Sequence, residues 1–107
     1  MTLHHPTTEE LELPTVLHAL SDPQRLLIVR KLSAEPEPRA CGAFDVNVSK
    51  STCTHHFRVL REAGVIEQRR LGTARLNSLR RDDLDRRFPG LLDAVLASAA
   101  AESAAAV

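Results

Sequence analysis

The sequence predicts a mainly α-helical fold with one small β-hairpin, and three observations support this prediction. Apolar residues recur at helical spacing in most segments, whereas the residues that flank Gly72 alternate between apolar and polar. Proline, glycine and aspartate mark the breaks between segments. A chain of 107 residues with 3% aromatics has the size of one domain, whose core must consist of Leu, Val, Ile and Ala.

Two helices are predicted in the first third of the chain. The first has Pro14 in its first turn, and the second is capped by Asp22, has Pro23 at its first position and continues to about Ser33. The proline-rich run 34–38 is predicted to be a surface loop. The apolar stripe of the first helix consists of Leu13, Val16, Leu17 and Leu20.

The middle of the chain predicts a short helix, a turn and a longer helix. Residues 40–46 form the short helix and residues 47–49 the turn. Ser49 caps the longer helix, which ends at Gly64 because glycine adopts the left-handed stop conformation.

A β-hairpin and a last helix complete the prediction. The strands VIEQRR and ARLNSL flank a turn at Gly72, and the following segment is helical, with a restart near Pro89. The order α-α-α-α-β-β-α is typical of a winged helix-turn-helix. We expect a flexible N-terminal tail over 1–10, the domain over 11–98 and a fraying Ala-rich C-terminus over 99–107.

Positive charge is concentrated in the middle of the chain. The net charge is zero, yet residues 49–81 contain eight basic and two acidic side chains, whereas residues 1–48 and 82–107 are both net acidic. A protein that binds polyanions is recognised by such a local patch rather than by its overall charge.

The longer helix has two different faces. Cys53, His56, Phe57 and Leu60 share an apolar face, which predicts packing on the domain. The opposite side and the cap are short, polar and cationic, as entry into the major groove requires. The predicted DNA contacts of this helix are Ser49, Lys50, Ser51, Thr54, His55 and Arg58. Arg69, Arg70 and Arg75 of the hairpin are predicted to contact the backbone or the minor groove.

These segments resemble a known family. LSDPQRLLIVRKL, residues 20–32, resembles the second-helix signature of the ArsR/SmtB winged-helix regulators. VSKSTCTHHFRVLREAGVI, residues 48–66, with the hairpin and last helix, is similar to that family's recognition segment and wing. The resemblance covers about residues 13–98 and implies a homodimer, built from the first and last helices, that binds a palindromic operator and is released by a signal. Predicted dimer residues are Val16, Leu20, Leu92, Val95 and Leu96, whose stripes a small monomer cannot fully cover.

The familiar metal sites of that family are incomplete in this sequence. Its Cys-x-Cys-Asp run is replaced by RACGAFD, with Cys41 alone, and the last helix contains no histidine to complete the other site. Cys53 is predicted to be a core thiol and His56 a half-buried histidine bonded to the backbone. No cofactor is therefore assigned. Nickel or zinc bound across a dimer by His4 and His5 of the tail, His18 and an acidic residue of the last helix stays an alternative, as does a Cys41–Cys53 redox pair.

Other functions have less support. The sequence has no glycine-rich phosphate loop and no Ser/His/Asp set, which argues against an enzyme. No apolar run reaches the length of a membrane span and the start lacks the pattern of a signal peptide, so we expect a cytoplasmic protein. A winged-helix module that binds a protein partner instead of DNA is the alternative from another class.

Overall fold

The computed structural model describes residues 3–34, 39–40 and 50–105, with the backbone alone for Arg39, Ala40 and Lys50. The predicted turn, Ser49 and Cys41 lie outside the described residues, as does most of the predicted short helix over 40–46. No helix in the described ranges is both long and apolar enough to cross a membrane.

The first two helices form as the sequence predicts. They are α1 (Leu13–Leu20) and α2 (Pro23–Ala34), and a single 3-10 turn, Thr8–Glu10, precedes them. Oδ1 of Asp22 accepts hydrogen bonds from the backbone N–H groups of Gln24 at 2.8 Å and Arg25 at 3.2 Å. These bonds confirm Asp22 as the cap of α2, because they satisfy two N–H groups that have no partner within the helix.

A longer helix and a sheet follow. Helix α3 (Lys50–Ala63) ends at Gly64, whose φ of 85° is the left-handed stop that the sequence predicts. The hairpin consists of β2 (Ile66–Leu71) and β3 (Ala74–Leu79), joined by a turn in which Gly72 has a φ of 62°. The mainly α fold with a small β-hairpin is thus confirmed.

The sheet contains a strand that the sequence did not indicate. Strand β1 (Arg39–Ala40) pairs antiparallel with β3, so the strand order is β1-β3-β2. The prediction placed Ala40 at the start of a short helix, and that part of the prediction is wrong. A two-residue strand is held by its partner and leaves no periodic signal of its own.

The last predicted helix is two helices. Helix α4 (Arg81–Arg87) and helix α5 (Leu91–Ala105) are separated at Phe88, Pro89 and Gly90, where Gly90 has a φ of 83°. The break predicted at Pro89 is present, and regular structure resumes two residues later. Helix α5 continues through most of the segment that was expected to fray, and its Ala99 is buried.

One core joins the helices to the hairpin. Leu60, Val65 and Ile66 are fully buried at the junction of α3 and β2, and the aliphatic composition predicted for the core is present. The buried apolar cluster consists of Leu11, Val16, Ala19, Leu20, Ile28, Val29, Leu32, Cys53, Phe57, Leu60, Ala63, Val65, Ile66, Leu84 and Leu92.

The N-terminal segment 3–10 lies against the hairpin and α4. Thr8 Oγ1 donates to Asp83 Oδ1 at 2.7 Å, and Arg80 Nη1 donates to the carbonyl oxygen of Pro6 at 2.8 Å. Nε2 of His5 accepts a hydrogen bond from the backbone N–H of Gln68 at 3.0 Å. The expectation of a flexible tail over 1–10 did not include these contacts, since their partners lie more than 60 positions away in the chain.

Candidate nucleic-acid interface

Helix α3 has one buried face and one exposed face, as its sequence predicts. Cys53, His56, Phe57 and Leu60 are all buried, with Phe57 and Leu60 against the core. The exposed face consists of Ser51, Thr54, His55 and Arg58. Because buried side chains lock the rotation of the helix, the polar face has a fixed direction relative to the rest of the domain.

A buried polar cluster holds α3 against the first two helices. His56 Nδ1 lies 3.4 Å from Arg25 Nη1, and His56 Nε2 lies 3.9 Å from Asp22 Oδ1. Arg25 itself is buried and donates from Nε to the carbonyl oxygen of Ala19 at 2.7 Å. The sequence predicted a backbone partner for a half-buried His56, whereas the structure buries it beside the side chains of Arg25 and Asp22.

Asp22 connects this cluster to the start of α2. Partial burial of its carboxyl raises the pKa of Asp22, but hydrogen bonds from the backbone N–H groups of Arg25 and Gln24 outweigh this and hold the pKa below its ordinary value of 3.8. A carboxyl with a lowered folded-state pKa stabilises the fold when ionised, above the ordinary value. That contribution is lost as the pH falls through the lowered pKa.

We expect Asp22→Ala to lower the free energy of unfolding by about 1 kcal/mol at neutral pH, because the cap of α2 is removed. Urea denaturation measures the free energy of unfolding. The difference in this free energy between the variant and wild type should become smaller as the pH falls well below 3.8, the ordinary pKa of this carboxyl. Asp22→Asn is the control, since asparagine also caps helices. A difference in the free energy of unfolding that stays constant down to strongly acidic pH would contradict the role of Asp22 as an ionised helix cap.

The hairpin presents the arginines that the sequence singled out. Arg69 and Arg70 are exposed and Arg75 is half-buried. Arg70 and Arg75 are cross-strand partners, one pair away from the Gly72 turn. Arg69 Nε lies 3.6 Å from Glu67 Oε1 across an exposed pair, which screens its charge only weakly. The tip of the hairpin is therefore cationic.

A buried amide pair connects the hairpin to α3, and it was not foreseen from the sequence. Gln68 Nε2 donates to Asn77 Oδ1 at 2.7 Å, and Gln68 Oε1 accepts from Arg61 Nη1 at 2.8 Å. Gln68 is 5% exposed and Asn77 0% exposed. Position 68 alternates with exposed neighbours in β2, and that alternation was the available signal that its side chain faces inward.

The predicted dimer surface is corrected in part. Val16, Leu20 and Leu92 are 1%, 6% and 2% exposed within one chain, so the core of a single chain already covers them. Val95 and Leu96 are half-buried at the edge of that core. The exposed leucines of α1 are instead Leu13 and Leu17, at 42% and 44%.

The predicted sensor residues are only partly described. Cys53 is a buried thiol of the core, as predicted, and its proposed redox partner Cys41 lies outside the described residues. Within the described part of the chain, no three His, Cys, Asp or Glu side chains are grouped to hold a metal ion. His5 is bonded to Gln68 and His18 is exposed on α1.

These features define a class of protein. A helix with a fixed polar face, followed directly by a cationic hairpin, is the recognition helix and wing of a winged helix-turn-helix, a DNA-binding fold. Residues 20–69 match the helix-turn-helix domain family. The chain is 36% identical over 80 residues to the HTH-type transcriptional regulator YceK of Bacillus subtilis, an alignment that covers 73% of this chain and 80% of YceK. The chain belongs to the HTH-type transcriptional regulators.

Solved structures of other regulators have the same fold. An ArsR-like transcriptional regulator from Rhodococcus sp. RHA1 superposes with a TM-score of 0.61 at 23% identity, covering 87% of each chain. The transcriptional repressor BigR from Xylella fastidiosa superposes with a TM-score of 0.57 at 25% identity, covering 71% of this chain and 85% of BigR. The winged helix-turn-helix predicted from the sequence is confirmed by these similarities.

Proposed function

We propose that this protein is a cytoplasmic ArsR-type repressor, not an enzyme, that binds a palindromic operator as a homodimer. The observation that carries the proposal is the polar face of α3, whose opposite face is locked in the core beside an arginine-bearing wing. The resemblance of residues 13–98 to the ArsR/SmtB family and the structural similarity to BigR, a repressor, support the finer assignment.

In the proposed complex, α3 lies in the major groove. Side chains near the start of a recognition helix reach base edges, so we expect Ser49, Lys50, Ser51 and Thr54 to read sequence. A threonine can bond a base edge or contact a thymine methyl group. The wing arginines bind phosphates or a narrow minor groove and supply affinity that depends on salt but little on sequence.

We expect Thr54→Ala and His55→Ala to weaken operator binding by about 1–3 kcal/mol each while hardly changing binding to random duplex. Arg75→Ala should weaken both alike, because a phosphate contact carries no sequence information. Fluorescence anisotropy with an operator selected from random DNA measures both affinities.

Ser103→Ala serves as the matched control for those variants, since Ser103 is an exposed small polar residue on α5, away from α3 and the wing. Its affinities should equal those of wild type. Equal losses on operator and random DNA for Thr54→Ala, His55→Ala and Arg75→Ala would contradict the division between base-reading and phosphate-binding residues.

The proposed dimer uses the exposed leucines of α1 and the half-buried edge of α5. Leu13 and Leu17 on α1, and Val95 and Leu96 on α5, are apolar side chains that the single chain leaves partly accessible. Covering them in a twofold interface removes apolar surface from water. The two recognition helices would then address two half-sites one DNA turn apart.

We expect Leu17→Glu to produce monomers, because it places a charge in the proposed interface at a position that is 44% exposed in the single chain. Sedimentation velocity measures the mass. Leu71→Glu, which alters a leucine 65% exposed on the wing, should remain dimeric. A Leu17→Glu protein that sediments as a dimer would show that the interface does not include Leu17.

A further inference from the structure

A cleft lies between the N-terminal segment and the outer side of β2. Its volume is about 510 Å³, which is within the range of small-molecule sites. The described residues that line it include Leu3, His5, Gln68, Arg69, Arg70 and Arg80. One wall therefore belongs to the wing strand and the opposite wall to the segment that precedes the first helix.

Hydrogen bonds hold the N-terminal wall of the cleft in place. His5 Nδ1 lies 3.0 Å from the carbonyl oxygen of Leu3, and His5 Nε2 accepts from the N–H of Gln68. Both bonds are satisfied by the neutral imidazole with its proton on Nδ1. Arg80 binds the carbonyl oxygen of Pro6 at the same end of the segment.

The charges on the cleft leave one cation without a carboxylate partner. Arg80 Nε lies 2.9 Å from Asp83 Oδ2, and Arg69 Nε lies 3.6 Å from Glu67 Oε1. Among the residues that the structure describes, Arg70 has no such ion pair. The lining thus carries three arginines against two carboxylates, and a ligand of charge −1 would balance the difference.

The form of the cleft restricts the ligand further. A carboxylate accepts two parallel hydrogen bonds from a guanidinium group, and an apolar body can pack on Leu3 and on the methylene chains of the arginines. A phosphate monoester carries a charge between about −1.5 and −2 at neutral pH and would meet Glu67 and Asp83 with excess negative charge.

We propose that this cleft binds a small organic monocarboxylate through Arg70 and that the bound ligand weakens DNA binding. The expected effect on DNA binding rests on the proposed function. Arg70 is exposed at the wing tip and lines the cleft as well. A carboxylate on Arg70 neutralises a cation that otherwise binds a phosphate, so ligand and DNA compete for the same guanidinium group.

The first test measures ligand binding without DNA. Benzoate and octanoate are titrated into the full-length protein by calorimetry, with benzyl alcohol as the neutral control and phenyl phosphate as the doubly charged one. We expect saturable binding of a carboxylate and none of benzyl alcohol. Arg70→Met should weaken carboxylate binding about tenfold, whereas Arg75→Met, its cross-strand partner outside the cleft lining, should stay within about twofold of wild type.

The proposed site is overturned if neither carboxylate binds, if both arginine variants lose binding equally, or if phenyl phosphate binds more tightly than benzoate. Leu3→Asp, which places a carboxylate on the opposite wall, provides a second variant and should also abolish binding. Circular dichroism shows whether each variant is folded.

The second test measures duplex DNA binding at constant ionic strength. A saturating carboxylate is expected to weaken DNA binding by wild type several-fold and to leave Arg70→Met unaffected, whereas an unchanged wild-type affinity overturns the competition. If the protein binds the carboxylate but no DNA, the proposed function is wrong, whereas the proposed ligand site is still supported.

Discussion

Replacing Arg69, Arg70 and Arg75 together by glutamine is expected to weaken binding to duplex DNA on the order of 100-fold near physiological salt. Each arginine that binds a phosphate releases condensed counterions from the DNA, and glutamine does not. The slope of log affinity against log salt should therefore become shallower by about 0.9 for each phosphate that is no longer neutralised. Fluorescence anisotropy over a series of salt concentrations measures both quantities.

Arg86→Gln is the matched control for the triple variant, since Arg86 is an exposed arginine of α4 outside the wing. We expect its affinity and salt slope to equal those of wild type. If the triple variant also retained the wild-type slope, the wing would not contact phosphates, and a role in binding a protein partner would become the better explanation for its exposed arginines.

Phe57→Ala is expected to lower the free energy of unfolding by about 3–5 kcal/mol, a large fraction of the stability of a small domain. Phe57 is 2% exposed and is the largest of the fully buried side chains, so its truncation leaves a cavity beneath the recognition helix. Urea denaturation at a fixed protein concentration measures the loss, because the proposed dimerisation would make stability depend on concentration.

Arg58→Ala, the next residue along α3, is the control. Its side chain is 66% exposed and forms an exposed pair with Glu62 at 3.6 Å, so we expect a change within about 0.5 kcal/mol. A loss below about 1 kcal/mol for Phe57→Ala would mean that the buried face of α3 does not hold the helix in place.

The parts of the fold that the sequence predicts correctly depend on local signals. The Asp22 cap, the Gly64 stop and the Gly72 turn each follow from the backbone preference of one residue. The two faces of α3 follow from its helical period, which places Phe57 inside and Arg58 outside.

The parts that the sequence did not predict depend on contacts between distant residues. The bond from Thr8 to Asp83 joins positions 75 residues apart, and no periodicity or turn signal encodes such a pair. Strand β1 exists through its pairing with β3. Leu92 belongs to an apolar stripe, but only the packed structure shows that Leu92 itself is covered within one chain.

The candidate site was predictable to a similar extent. Exposure of Thr54 and His55 follows from the helical period, whereas the partners of His56 do not, because Arg25 reaches it from another helix. The exposure of Arg70 does not follow from the strand period either, since that period places residue 70 on the face of the buried Ile66 and Gln68. The sequence also does not predict the cleft beside β2, since one wall of the cleft consists of a segment expected to be a flexible tail.

The buried Gln68–Asn77 pair has a consequence for how strands β2 and β3 align. The two residues are cross-strand partners, and sliding one strand by a single residue would turn every side chain to the other face. It would also break the hydrogen bond between the two amides and leave one of them inside the protein without it, at a cost of about 1–3 kcal/mol. Only one alignment of the strands is therefore stable. Every molecule therefore holds its guanidinium groups at the same height above the hairpin base, as the proposed binding to a double helix requires.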